Sequence, residues 1–303
     1  MIPQVNVEMQ REEQARSSAE ERSLLSPASW WREPRTVTPS QSPEEGVSPS
    51  SKPPVIGVLL IHGLNGNPSN LAELATFLQE HGMGTTTMLL PGHGEHGCEM
   101  RPVDWQEWTA AVRTELNRLK ERCDLVFLLG HSLGGTLALY VAAQEEVTGV
   151  VAICPPLQLD PWLPLVVGLL KYVMPVVPTL HADVRDPEAR RRLGEVYRWA
   201  PTQTMASALQ FCQHARVVLP QVTAPVLILT SIHDHVVPAR DAQEIYHLLG
   251  SPTKHLVTFQ HSAHVLIMDY DREAVFAQTA AFIAHQAREA TAQRSGSAVD
   301  QTT

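Results

Sequence analysis

Basic residues are in the minority in this 303-residue chain: 23 Lys and Arg stand against 32 Asp and Glu, a formal net charge of −9. Nothing cationic is gathered to neutralise phosphates, which excludes nucleic acid as a partner. Cysteine is scarce too. Cys98, Cys123, Cys154 and Cys212 are widely spread and form no CxxC pair, so reduced thiols in a cytoplasmic protein are expected, and no disulfide framework. The opening MIPQVNVEMQREEQARS lacks the apolar core of a secretory signal, and no lipidation motif sits at either end. No G-x-G-x-x-G or GxxxxGK[ST] follows a strand pattern, so no nucleotide cofactor is expected. Long apolar runs are missing where one is most suspected. In PPLQLDPWLPLVVGLLKYVMPVVPTL (155–180), Pro161, Pro164, Pro175 and Pro178 interrupt the stretch. The longest part free of charge and proline is 165–170. A span needs ~20 residues, so no stable membrane span is expected.

What the chain does have is 44% hydrophobic residues, ample for a large core. Residues 1–53 read as a disordered polar tail: TVTPSQSPEEGVSPSSKPP cannot bury enough apolar surface to offset its ordering entropy. The pair Trp30-Trp31 is the exception, a candidate for docking on the folded body. Residues 289–303, with TAQRSGSAVDQTT, read as a second disordered tail.

Between the tails, strand and helix patterns alternate. VIGVLLI (55–61), TTTMLL (85–90), LVFLL (125–129), GVVAIC (149–154), PVLILT (225–230) and HLVTF (255–259) are short apolar runs of strand length. Helical periodicity falls at 69–80, after Asp104, at 136–144, near 239–249 and at about 265–288. Such alternation implies βαβ units, hence an α/β fold with a mostly parallel sheet flanked by helices. Residues 156–220 break the rhythm and read as a small, apolar, helical cap. They divide the core into 54–155 and 221–288.

One stretch carries chemistry. LVFLLGHSLGGTLALY (125–140) passes from a buried strand through Gly-His-Ser-Leu-Gly-Gly into a helix. A turn that tight lifts one side chain off the end of the sheet and brings a helix N-terminus beneath it. The flanking positions must be tiny, and Gly130 and Gly134 are. Ser132 is therefore the candidate nucleophile. A serine needs a base, and the base an orienting carboxylate, each on a loop after a strand. Asp234 lies just past PVLILT, and His264 just past HLVTF, read as the start of the final helix. His261 and Asp241 are their rivals; Asp241 falls inside the next helical pattern, where a solvated role is the plain alternative. An oxyanion hole would take one N–H from Leu133, after the serine, and one from Leu64, in the loop LLIHGLNGNPSN. LPGHGEHG and HDH hold further histidines, but no HExxH and no third spaced ligand accompany them, so no metal site is expected.

These motifs, LLIHGLNGNPSN, LPGHGEH, DWQEWTAAV, LLGHSLGG, SIHDHVVP and HSAHVLIMDYD, resemble those of the α/β-hydrolase superfamily over nearly all of 55–288. They are most similar to the bacterial carboxylesterase and monoacylglycerol lipase group. That group often has Asn where His261 stands, and His131 is a common elbow variant. The resemblance implies a Ser132–Asp234–His264 triad, Leu64 and Leu133 as oxyanion donors, and a helical cap after the strand at 149–154. It implies a serine hydrolase that cleaves carboxylic esters of aliphatic acyl chains through an acyl-enzyme, with small esters as its partners and no cofactor. The rivals are a thioesterase or acyltransferase with the same triad, a non-catalytic binding protein on the same fold, and a membrane-associated protein anchored through 160–180. No oligomeric state is indicated.

Overall fold

The computed structural model describes residues 31–32, 53–94, 102–157, 163–178, 182–193 and 199–300. The chain begins with β1 (Trp31–Arg32), β2 (Ile56–Ile61), α1 (Ala72–Glu80), β3 (Gly84–Met88), α2 (Trp105–Lys120), β4 (Leu125–His131), α3 (Leu133–Ala142) and β5 (Gly149–Ile153). After β5 come α4 (Leu163–Leu170), β6 (Val176–Pro178), α5 (Pro187–Arg192), β7 (Trp199–Pro201) and α6 (Thr202–Val218). The chain then returns to the sheet with β8 (Val226–Ser231), α7 (Ala239–Leu248), β9 (Lys254–Phe259) and α8 (Arg272–Asp300).

The main sheet has the order β1-β3-β2-β4-β5-β8-β9. Every neighbouring pair is parallel except the outermost, where Trp31 and Arg32 run antiparallel to Thr86 and Thr85. Trp31 of the tail thus joins the sheet through its backbone. A separate antiparallel pair, β6-β7, lies within the segment between β5 and β8.

Strand side chains alternate between faces, and both faces are covered. Val58 and Leu60 of β2, with Phe127 and Leu129 of β4, pack with Leu74 and Leu78 of α1 and Phe276 and Ile283 of α8. Leu59, Ile61 and Leu128 face the other way, onto Trp108, Val112 and Leu116 of α2, Leu137 and Val141 of α3, and Ile245 of α7. Burial on both sides explains why these strands read as continuous apolar runs. Each such side chain, fully buried, contributes roughly 1.5–3 kcal/mol. Local signals fix the ends: Asp104 takes extended angles ahead of α2, and Glu107 reaches back to accept its N–H at 3.4 Å.

The loop after β2 leads to α1 on one face of the sheet, and the loop after β4 leads to α3 on the other. The crevice between them, at the carboxyl ends of adjacent strands, is where open α/β sheets bind ligands. Among the described residues, no helix is long and apolar enough to cross a membrane.

The final helix departs from expectation. It begins at Arg272, not near 265, and continues to Asp300, past 288. The apolar run Val265–Met268 has helical composition, but two carboxylates beside it capture the local backbone. Asp269 accepts the N–H of Ala263 at 2.7 Å, and Asp271 those of His261 and Ser262 at 3.0 and 2.9 Å. The loop is pinned into turns before the helix can start.

Candidate active site

Ser132 joins β4 directly to α3 with φ 54° and ψ −126°, angles an L-residue adopts only under strain, here on the order of 1–3 kcal/mol. Its N–H is held by the Ile153 carbonyl at 2.8 Å. A Cβ on Gly130 would overlap the Gly134 carbonyl, and one on Gly134 would overlap the Ile61 and His62 carbonyls. The turn closes only because both positions carry no side chain.

His264 projects from the loop after β9. Its Nε2 is 2.9 Å from Ser132 Oγ and its Nδ1 is 2.7 Å from Asp234 Oδ2. The Asp234 side chain is wholly buried and that of His264 nearly so. Oδ1 of Asp234 accepts the N–H groups of Val236 and Val237 at 2.9 and 2.7 Å, which turns Oδ2 toward the imidazole. Burial alone would raise the Asp234 pKa. The hydrogen bond and charge of His264, with those two N–H groups, outweigh it and hold the carboxyl below its ordinary value. An ionised Asp234 keeps the proton on Nδ1, so Nε2 is left to accept from the serine hydroxyl.

The rivals are accounted for elsewhere. His261 is exposed, and its ring and N–H pair with Asp271 at 3.1 and 3.0 Å. Asp241, read as solvated, is fully buried and accepts the Leu157 N–H at 2.7 Å, holding the chain as it leaves β5. His264 does not open the final helix, as the sequence suggested, but stands in the turns ahead of Arg272.

Leu133 is the first residue of α3, where N–H groups have no partner within the helix. Leu64 lies in a turn closed by the Gly66 N–H on the Gly63 carbonyl at 3.0 Å. Gly63 packs beside the serine: a Cβ there would stand 3.0 Å from Ser132 Cβ. Two buried histidines brace this turn. His62 accepts the Leu90 N–H at Nε2 (3.0 Å), so its Nδ1–H donates to the Gly63 carbonyl at 2.8 Å. That carbonyl and the Leu64 N–H belong to one trans peptide and point in opposite directions. Fixing the first therefore aims the second. His93 Nε2–H donates to the Leu64 carbonyl. Burial lowers the pKa of both rings, which keeps them neutral.

Sequence reasoning gave His62 and His93 no such bracing role; the signal was their place in LLIHG and LPGHG. It also passed over Cys154, which is buried with φ 47°. Its Sγ, an Asp234 oxygen and a His264 nitrogen lie within 4.8 Å of one another, a group of three potential metal ligands among the described residues. It makes a poor metal site, because Asp234 and His264 already bind each other. Burial, then the facing Asp234 carboxylate, also pushes the thiol well above its usual pKa, so it stays protonated. His131 Nε2 donates to the His264 carbonyl at 3.0 Å, steadying the loop that carries that ring. Glu95 and His96 of LPGHGEH lie outside the described residues.

A serine hydroxyl, imidazole and buried carboxylate so linked can transfer an acyl group. A family profile described as serine aminopeptidase, S33, matches residues 52–271. The chain is 29% identical over 236 residues to a thermostable monoacylglycerol lipase of Bacillus sp. (strain H-257), covering 77% of this chain and 92% of that protein. It is 24% identical over 219 residues to a carboxylesterase of Bacillus subtilis (strain 168), covering 72% and 88%. A solved structure from work on LipS and LipT, two metagenome-derived lipolytic enzymes, superposes with a TM-score of 0.71 at 29% identity, covering 77% of this chain and 96% of that one.

Proposed function

The chain belongs to the serine aminopeptidase S33 family, on the α/β-hydrolase fold, and from that premise we propose that it hydrolyses carboxylic esters of aliphatic acyl chains through Ser132, His264 and Asp234. The observation that carries this reading is the unbroken path from Ser132 Oγ through His264 to a buried Asp234, mounted on a strained turn. The names of the relatives, a monoacylglycerol lipase and a carboxylesterase, support an ester as the substrate.

The chemistry follows from the geometry. Ser132 Oγ attacks the ester carbonyl carbon while His264 Nε2 takes its proton. Asp234 holds the imidazolium in place. The carbonyl oxygen, now anionic, is stabilised by the N–H groups of Leu64 and Leu133. Collapse expels the alcohol, which takes the proton back from His264, and leaves an acyl-serine. Water then attacks under the same base, and the acid is released.

We assign residues 156–220 as a cap over this site. Its described part exposes Leu169, Tyr172, Val173 and Trp199, and the neighbouring loop exposes Ile232. Apolar surface on such a cap favours an aliphatic acyl group over a wet polar one. Cys123, Cys154 and Cys212 are free thiols, which supports a reducing, cytoplasmic setting.

The test is hydrolysis of p-nitrophenyl esters from acetate to palmitate by the purified protein, with Ser132→Ala as control. Activity that peaks at one chain length and falls at least about 10³-fold in the variant supports the triad. Activity that survives Ser132→Ala refutes it. Turnover of acyl-CoA alone would favour the thioesterase reading.

A further inference from the structure

Between β6 and α5 the chain passes close to both loops that feed the triad. Asp183 sits there, its side chain largely buried. Oδ2 accepts the N–H of His235, the residue after the acid, at 2.9 Å, and the N–H of His264 itself at 3.3 Å. Oδ1 faces the ring Nδ1 of the exposed His235 at 3.1 Å. The Asp183 backbone carbonyl accepts the Val265 N–H at 3.1 Å, on the far side of the base. One residue therefore binds the acid's neighbour, the base and the base's neighbour.

The following residues extend the seam. Asp269, buried in the loop after His264, accepts the N–H of Arg185 at 2.9 Å and of Asp186 at 2.8 Å. The segment from Asp183 to Asp186 is thus stitched to the base loop from above and below.

The physical need for such a link is plain. Asp234 and His264 stand on separate loops after β8 and β9, tied directly to each other near their strand ends, by the Ser231 hydroxyl on the Ser262 carbonyl and the Ile232 N–H on the Phe259 carbonyl at 3.1 Å, before the catalytic pair is reached. A displacement near 1 Å would stretch the 2.7 Å hydrogen bond between them, and errors of that size cost about 10²-fold in rate. A carboxylate is suited to this task because it accepts several N–H groups at once.

We infer that Asp183, supplied by the segment between β5 and β8, is a positioning residue that fixes the Asp234 loop against the His264 loop and so couples that segment to catalysis. The inference rests on the triad reading above. A residue that merely anchors the segment, or shapes the acyl pocket, would change stability or KM; one that sets triad geometry changes kcat.

The experiment measures kcat and KM on p-nitrophenyl butyrate for wild type, Ser132→Ala, Asp183→Ala, Asp183→Leu and Asp183→Asn, with circular dichroism to verify folding. In Asp183→Ala, kcat should fall about 10- to 100-fold with KM within about threefold. Asp183→Leu, which keeps the volume without an acceptor, should behave likewise and stands in where the alanine variant does not fold. Asp183→Asn should return kcat to within about fivefold of wild type, because its amide oxygen still accepts the two backbone N–H groups. A kcat within twofold of wild type in either acceptor-less variant, an effect confined to KM, failure of asparagine to restore kcat, or loss of fold in both would overturn the inference. An inactive wild type, or wild-type activity untouched by Ser132→Ala, would instead overturn the triad reading beneath it.

Discussion

Asp234 shows how much a single side chain is asked to do. It spends one oxygen on two backbone N–H groups and the other on His264, with no solvent contact. Asparagine in its place would keep the shape, but its amide would donate to Nδ1 and force the proton onto Nε2, where it could no longer accept from Ser132. Asp234→Asn should therefore lower kcat by about 10⁴-fold with little change in KM, read on p-nitrophenyl butyrate. A loss shared equally with KM would mean that Asp234 binds substrate instead of orienting the base. Gly130 and Gly134 work by having nothing to contribute: the backbone oxygens of neighbouring segments occupy the space a side chain would need.

At the scale of the element, the loop between β9 and α8 separates what local sequence encodes from what it does not. The strand β4, the turn at Ser132 and the helix α3 were readable because apolar period and glycine spacing lie within sixteen consecutive residues, LVFLLGHSLGGTLALY. Asp234 and His264 were readable as residues just past strand ends. The start of α8 was not, because Val265–Met268 is composed like a helix while Asp269 and Asp271 pin the backbone just ahead of it, at His261, Ser262 and Ala263, into turns. Nor was the burial of Asp241, whose partner Leu157 is far away in the chain. Long-range hydrogen bonds leave no local pattern. Asp269 makes the point testable: Asp269→Ala strands the N–H groups of Ala263, Arg185 and Asp186, and should destabilise the fold by about 3 kcal/mol in urea unfolding. A change below about 0.5 kcal/mol would mean those donors find other acceptors.

For the whole molecule, three of the buried histidines set the response to acid. His62, His93 and His131 all have lowered pKa values, each chiefly through burial, His131 to about 4. Unfolding releases them to their ordinary value near 6.5, so below that pH the unfolded chain takes up protons that the folded one refuses. Their contribution is complete above pH ~6.5 and declines as the pH falls below it; that of His131, on the order of 3 kcal/mol, is lost as the pH reaches about 4. Asp234, held low in the fold, adds a loss only as the pH falls below ~4. Urea midpoints should therefore be level from about pH 7 to 8 and decline steadily between about 6.5 and 4.5. A maximum near pH 5 would mean that the rings are charged in the folded state. At the rim of the sheet, β1 lends Trp31 and Arg32 to cover part of β3. Without them β3 would present its bare main chain to any passing strand, including that of an identical molecule. A version shortened to begin at Pro53 should keep its esterase chemistry yet grow adhesive, and sedimentation velocity would register the change as oligomers that increase with concentration.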